Sequence, residues 1–216
     1  MPNKDSVIEQ INEAFGGNES PGDPFLQPYP AGYDLSDEIK AFAGIQRWED
    51  VTPSFLDENP DAISHFSEAG FRLFLPAYLI ADLNKKLTIV EPLFHLVGGF
   101  MDQYIKLTVG DQEVDKLIGK SALVNPIQYG AATFFDHFRF KLSIFPREEA
   151  QAIVAYLEYK IEEDNPYELD TPEIEEALKL FWLDRAENAP LKMELEKHIR
   201  AEKRYMDSVN DKFRSE

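Results

Sequence analysis

A chain of 216 residues is long enough to bury a substantial core, and sixteen Phe with nine Tyr supply the apolar area of a globular protein rather than a disordered one. The absence of cysteine excludes disulfides, thiolate metal sites and a cysteine nucleophile, and suits a reducing cytoplasm. Forty acids against 22 bases give a formal charge of −18, which repels nucleic acid and anionic lipid and favours basic partners.

The N-terminal run places Val7, Ile8, Ile11, Ala14 and Phe15 at helical spacing, with Gly16-Gly17 as a stop. It predicts an amphipathic helix, and its polar, helix-patterned start is not the profile of a cleaved secretory signal. Asn18 to Tyr33 holds four prolines and no period, so it reads as an extended loop tucking in Phe25, Tyr29 and Tyr33. A short helix is expected over Ser36–Ala43, carrying Ile39 and Phe42 and closed by Gly44. Thr52-Pro53 then makes a cap and first-turn pair for another, through Phe55 and Leu56.

The stretch His65 to Leu83, HFSEAGFRLFLPAYLIADL, is the longest apolar run and the segment the rest of the chain is organised around. Ser67 is placed to cap it and Glu68 faces the positive end of the helix dipole. Phe71, Phe74, Leu75, Tyr78 and Leu79 form one stripe and Leu73, Ala77 and Ile80 a second, so the helix is buried on more than one side. Arg72 and Asp82 lie too far inside it for a membrane span, and no other run approaches twenty apolar residues. Pro76 predicts a kink or a restart.

Beyond it, Leu87–Val90 fits a short strand or the end of the helix. Pro92 starts a helix through Phe94, His95 and Val97, which Gly98-Gly99 ends or bends. Ile105, Leu107 and Val109 alternate as in a strand, while Phe100, Met101, Tyr104 and Ile105 fit a helix equally well. Val114, Leu117 and Ile118 suggest a short helix. Asn125-Pro126 forms a further cap before the aromatic segment TFFDHFRFKLSIF. Pro146 opens a helix with Ala150, Ile153, Val154, Leu157 and Ile161 inward, and Thr171-Pro172-Glu173 opens the next, with Ile174, Ala177, Leu178, Phe181 and Trp182 inward. The short acidic connector makes these two an antiparallel pair.

The fold class expected is mainly α: a single globular helical domain around a central Pro-kinked helix, with one small strand pair near Leu87 or Ile105. The helical domain covers 1–187. Residues 188–216 form an amphipathic C-terminal helix, its stripe running from Leu191 through Leu195, His198, Ile199 and Tyr205 to Phe213, packed on the domain or on a partner. A homodimer through 191–213 is the second of those alternatives.

Few chemistries survive inspection. The four histidines, His65, His95, His137 and His198, are thirty or more residues apart, and none has a helical His partner, so no metal site is expected. Asp111 to Asp115 begins like a calcium loop, but Lys116 stands at the turn-glycine position and Ala122 at that of the bidentate Glu. Gly119-Lys120-Ser121 lacks the first glycine of a phosphate-binding loop. No G-x-S-x-G is present, and Asp136-His137, adjacent on a helix, point about 100 degrees apart, so they do not make a dyad. No cofactor and no catalytic residue is assigned.

The segments HFSEAGFRLFLPAYLIADL and HFRFKLSIFPREEAQAIVAYLEY, preceded by Gln46-Arg47-Trp48-Glu49-Asp50, resemble an uncharacterised bacterial family, a domain of unknown function with a buried Leu-Pro-Ala-Tyr-Leu helix. The likeness runs from about Asp5 to Lys160, with Phe100–Tyr129 looking like an addition. It implies a bacterial, cytoplasmic, mainly helical protein and brings no activity.

Three functions remain in view. The first is a non-enzymatic, immunity-protein-like module whose acidic face, around Glu162, Glu163, Asp164, Glu168 and Asp170, binds a basic protein rather than nucleic acid or membrane. The second is a small-molecule binder or enzyme with a pocket formed by Trp48, Tyr78, His95, Asp136 and His137. The third is a structural protein assembling through its C-terminal helix.

Overall fold

The computed structural model of the chain describes residues 3–28, 34–110, 112–163 and 171–214. Helix α1 (Lys4–Phe15) starts at Asn3, whose side-chain oxygen accepts from the Ser6 N–H at 2.8 Å, and buries Val7, Ile11, Ala14 and Phe15. Gly16 closes it and Gly17 turns the chain at φ +74°, a conformation that favours glycine. The following strap crosses the body through a tight turn, Asp23–Phe25. Leu26, not Phe25, is the residue it buries: Phe25 is 54% exposed, because Pro24 fixes the turn that points it outward. Tyr29 and Tyr33 lie outside the described residues.

The helix expected over Ser36–Ala43 is reduced to a 3₁₀ turn, Lys40–Phe42, that buries Phe42; Gly44, at φ +79°, ends it early. A second turn, Trp48–Asp50, leads to α2 (Pro53–Glu58), where the Thr52 hydroxyl accepts from the Phe55 N–H at 3.3 Å, and to α3 (Ala62–His65).

Helix α4 (Glu68–Leu83) is the centre of the molecule. Ser67 caps it, accepting from the Gly70 N–H at 3.0 Å, and Phe74, Leu75, Tyr78 and Leu79 are fully buried. The helix continues through Pro76 without restarting, because protein encloses that turn and packing outweighs the roughly 3 kcal/mol a mid-helix proline costs. Phe42 meets Phe55, Phe66 and Phe74 edge-on at 4.9 Å each. Phe145 joins Phe15, Phe71 and Trp182 at 5.8–6.2 Å on another side. The strap presses on the start of α4: Ser67 donates its N–H to Leu26 O at 2.8 Å and its hydroxyl to Phe25 O at 2.5 Å. A Cβ on Gly70 would lie 2.8 Å from the Leu26 carbonyl oxygen.

Leu87–Val90 is neither strand nor helix. The Asp57 carboxylate holds it by accepting from the Thr88 N–H and hydroxyl and the Ile89 N–H, at 2.8–3.2 Å. After α5 (Phe94–Val97), strands β1 (Asp102–Val109) and β2 (Gln112–Gly119) pair antiparallel, Ile105 opposite Lys116 and Leu107 opposite Val114. Val114, Leu117 and Ile118 thus lie in a strand, not the helix their spacing suggested; Gly110, at φ +64°, and a two-residue connection make the hairpin.

Helices α6 (Pro126–Tyr129) and α7 (Phe134–Leu142) follow, capped by Asn125 and Thr133. Then come α8 (Arg147–Glu162) and a rod made of α9 (Thr171–Ala177), a π turn over Leu178–Trp182 and α10 (Leu183–Asn188). The rod runs antiparallel to α8: Gln151 donates to Ala186 O at 3.2 Å, Arg185 to Phe145 O at 2.8 Å, and the Arg147 N–H to Pro190 O at 2.9 Å. The buried Trp182 donates its indole N–H to Leu96 O at 3.0 Å.

Glu149, in the first turn of α8 and fully buried, ties four elements together. Arg72 of α4 grips it bidentately at 2.6 and 2.7 Å, Asn18 donates to it at 3.1 Å, and the Lys192 ammonium stands 3.8 Å away. Lys192 opens α11 (Lys192–Arg214) and also donates to Ala14 O and Gly16 O at the end of α1. The C-terminal helix is anchored at this first turn, while Ile199 and Tyr205 remain exposed.

Two outcomes follow for urea unfolding. Glu149→Ala leaves the partly buried Arg72 charge without its partner and lowers stability by about 3 kcal/mol. Gly70→Ala forces the strap off α4 and lowers it by about 1–3 kcal/mol.

Candidate functional site

An open cleft of about 1020 Å³ lies between the strap, the α3–α4 junction and helices α6 and α7. Gln27 shapes its first wall, accepting from the Ser36 N–H at 3.2 Å and donating to Asp34 O at 3.3 Å. The second wall carries His65, Phe66 and Glu68; the His65 ring is held by its Nδ1, 2.9 Å from Asp61 O. The third carries Tyr129, His137, Phe140 and Lys141. Gly130, left-handed at φ +64°, ends α6 so that Tyr129 meets the His137 ring edge-on at 5.0 Å.

Charge in the cleft is mixed but leans acidic. Lys141 lies over the Phe71 ring at 5.2 Å, and burial pushes its pKa down against the opposing pull of Glu68. Asp34 and Glu68 line the walls, and Glu38 stands nearby with its pKa lowered by its hydrogen bond with Ser36. His137 Nδ1 is buried, with no hydrogen-bond partner among the described residues. Among the described residues neither cleft histidine bonds a carboxylate, and no three His, Asp or Glu side chains come close enough to hold a metal ion. The arrangement offers ring faces for stacking and charges of both signs for ion pairing.

Of the five residues expected around a pocket, only His137 reaches this cleft. Asp136, in the first turn of α7, accepts from the hydroxyl of the cap residue Thr133 at 2.8 Å. Trp48 is buried and donates to Phe15 O at 3.3 Å. Tyr78 is buried with no partner for its hydroxyl among the described residues, and burial raises its pKa. His95 sits between Phe94 and Phe71, its pKa pushed down to about 4 by burial and then by Lys141.

Of the acidic set, Glu162 is exposed, while Glu163 pairs with Lys85 at 2.9 Å and stands 3.9 Å from Lys160. Asp164, Glu168 and Asp170 lie outside the described residues. Sequence reasoning passed over Lys141 and Glu68. For Lys141 the signal was spacing, since His137 and Lys141 stand four apart on α7 and share one side of it; Glu68 carried no such signal, because the break between α3 and α4 separates it from His65.

Fold and cleft together define a mainly α protein with a small antiparallel strand pair and an open, mixed-polarity groove; no helix among the described residues is long and apolar enough to cross a membrane. The chain belongs to a family of unknown function, DUF6714, whose model matches residues 3–186. No curated protein and no solved structure matches it.

His95 dictates a pH dependence. Its folded pKa is depressed below the ordinary 6.5, so its contribution to stability is complete above pH 6.5 and is lost as pH falls toward 4. In thermal melts at pH 7 and pH 5, His95→Phe loses less stability between the two than the wild type does.

Proposed function

We propose that this protein is a non-enzymatic binding module of the bacterial cytoplasm whose cleft receives a basic side chain of a partner protein, in the manner of an immunity protein. The observation that carries the reading is the pairing of acids with aromatic faces in one open groove: Asp34 and Glu68 beside Tyr129, His137 and Phe140. An arginine guanidinium uses both at once, ion-pairing with carboxylates and stacking on rings. The −18 charge of the whole chain steers such a cation inward. The wall adds apolar area, with Phe140 70% exposed. Glu163, engaged by lysines of its own chain, contributes less to such a face than the groove acids do.

A second reading, a small-molecule binder, is favoured by the cleft volume and by the partly desolvated Lys141, which suits an anionic ligand.

A hexa-arginine peptide titrated into labelled protein separates the two by NMR. Shifts centred on His65, Tyr129 and His137, weakened about tenfold between about 50 and about 300 mM salt and about tenfold again by the triple variant Asp34→Asn, Glu38→Gln, Glu68→Gln, support the first. Shifts spread over the acidic surface, unmoved by that variant, overturn it.

A further inference from the structure

The β1–β2 hairpin is built for something the body of the protein does not supply. Every residue of β1 is exposed, and β2 is exposed from Gln112 to Lys116. One face presents Ile105, Leu107, Val109 and Val114, and the other Tyr104, at 72% exposure. Among the described residues the sheet has two strands only, a size marginal in water unless more strands join it.

The ladder phase shows which edge is open to what. Val109 pairs with Gln112 across a two-residue connection, so these two exchange hydrogen bonds, and so do the pairs Leu107–Val114 and Ile105–Lys116. The N–H and C=O groups of Asp102, Tyr104, Lys106 and Thr108 therefore point away from β2. On β2 the outward groups are those of Glu113, Asp115 and Leu117.

Charge separates the two edges. A two-fold pairing of β2 with itself that keeps outward groups opposite outward groups, centred on any one residue from Glu113 to Lys116, sets Glu or Asp against acid or Lys116 against Lys116. Like charges directly opposite are destabilising, the usual guard on an open strand. Strand β1 has no such guard, since Asp102 and Lys106 are its only charges and cancel. Centred on Ile105, an antiparallel two-fold pairing sets Ile105 against Ile105, Tyr104 against Lys106 and Asp102 against Thr108. The last two are pairs whose backbone groups face outward, so the hydrogen-bond phase and the side chains agree.

We propose that β1 pairs edge to edge with β1 of a second copy of this chain, antiparallel about Ile105, forming a four-stranded intermolecular sheet with a continuous aliphatic face. The pairing is independent of the cleft and of the C-terminal helix.

Sedimentation velocity on the full-length protein up to about 1 mM tests it. The wild type self-associates to a dimer. Ile105→Lys and Ile105→Asp each weaken it about tenfold or more by setting like charges opposite, and an equimolar mixture of the two restores the dimer. Ile199→Glu on α11 leaves it unchanged. A wild type that stays monomeric, a dimer indifferent to both Ile105 variants, a mixture no more associated than its components, or a dimer lost with Ile199→Glu overturns the proposal.

Discussion

The ion pair between Arg72 and Glu149 is the constraint on which the assembly turns. A charge inside α4 is costly unless a partner and further hydrogen bonds meet it, and Glu149 is wholly buried. Meeting that requirement brings the first turn of α8 against α4, draws Asn18 in from the loop after α1, and recruits Lys192. Because Lys192 also satisfies two carbonyl oxygens at the end of α1, one carboxylate sets the positions of three helices and the start of a fourth. The opposite end of α4 repeats the device in a wetter setting: Asp82 accepts from the Tyr156 hydroxyl at 2.7 Å and stands 3.3 Å from Lys160. Arg72 and Asp82, the two charges that forbade a membrane span, are thus the two clamps of the central helix.

Local signals were legible where local physics decides. Asn125-Pro126, Thr52-Pro53 and Ser67 cap their helices as read, since a cap is a contact between residues two or three apart. The helices with long apolar stripes, α1, α4 and α8, needed only their period. Around Ile105 the sequence carried strand and helix periods at once, and the choice fell to a turn whose glycine adopts a left-handed conformation. Glu149 was visible only as a first-turn acid, because its partners stand 77 and 131 residues away. The cleft was hidden for the same reason. His65 and His137 are remote in the chain, and the strap that forms the facing wall has no period at all.

Buried polar groups here do structural work before any other. Trp48 and Trp182 each direct an indole N–H to a carbonyl of another segment, joining α1 to the turn before α2, and α5 to the π turn. That π turn is where a functional distortion would first be sought. Its residues Leu178, Phe181 and Trp182 are instead core, with Phe181 stacked on Phe100 and Trp182 tilted against Phe145.

What remains exposed is informative because the surface is so strongly acidic. Copies of a chain at −18 repel one another, so apolar groups can stand open over most of the surface at small risk of aggregation. The same field selects where association can occur. It favours a cation over an anion in the groove between Glu68 and Tyr129, and it opposes a second copy least along an edge whose own charges sum to zero. A uniformly acidic coat would have guarded every edge alike. The contrast between β1, with one acid and one base, and the guarded β2 is the departure from uniformity that gives the hairpin a direction.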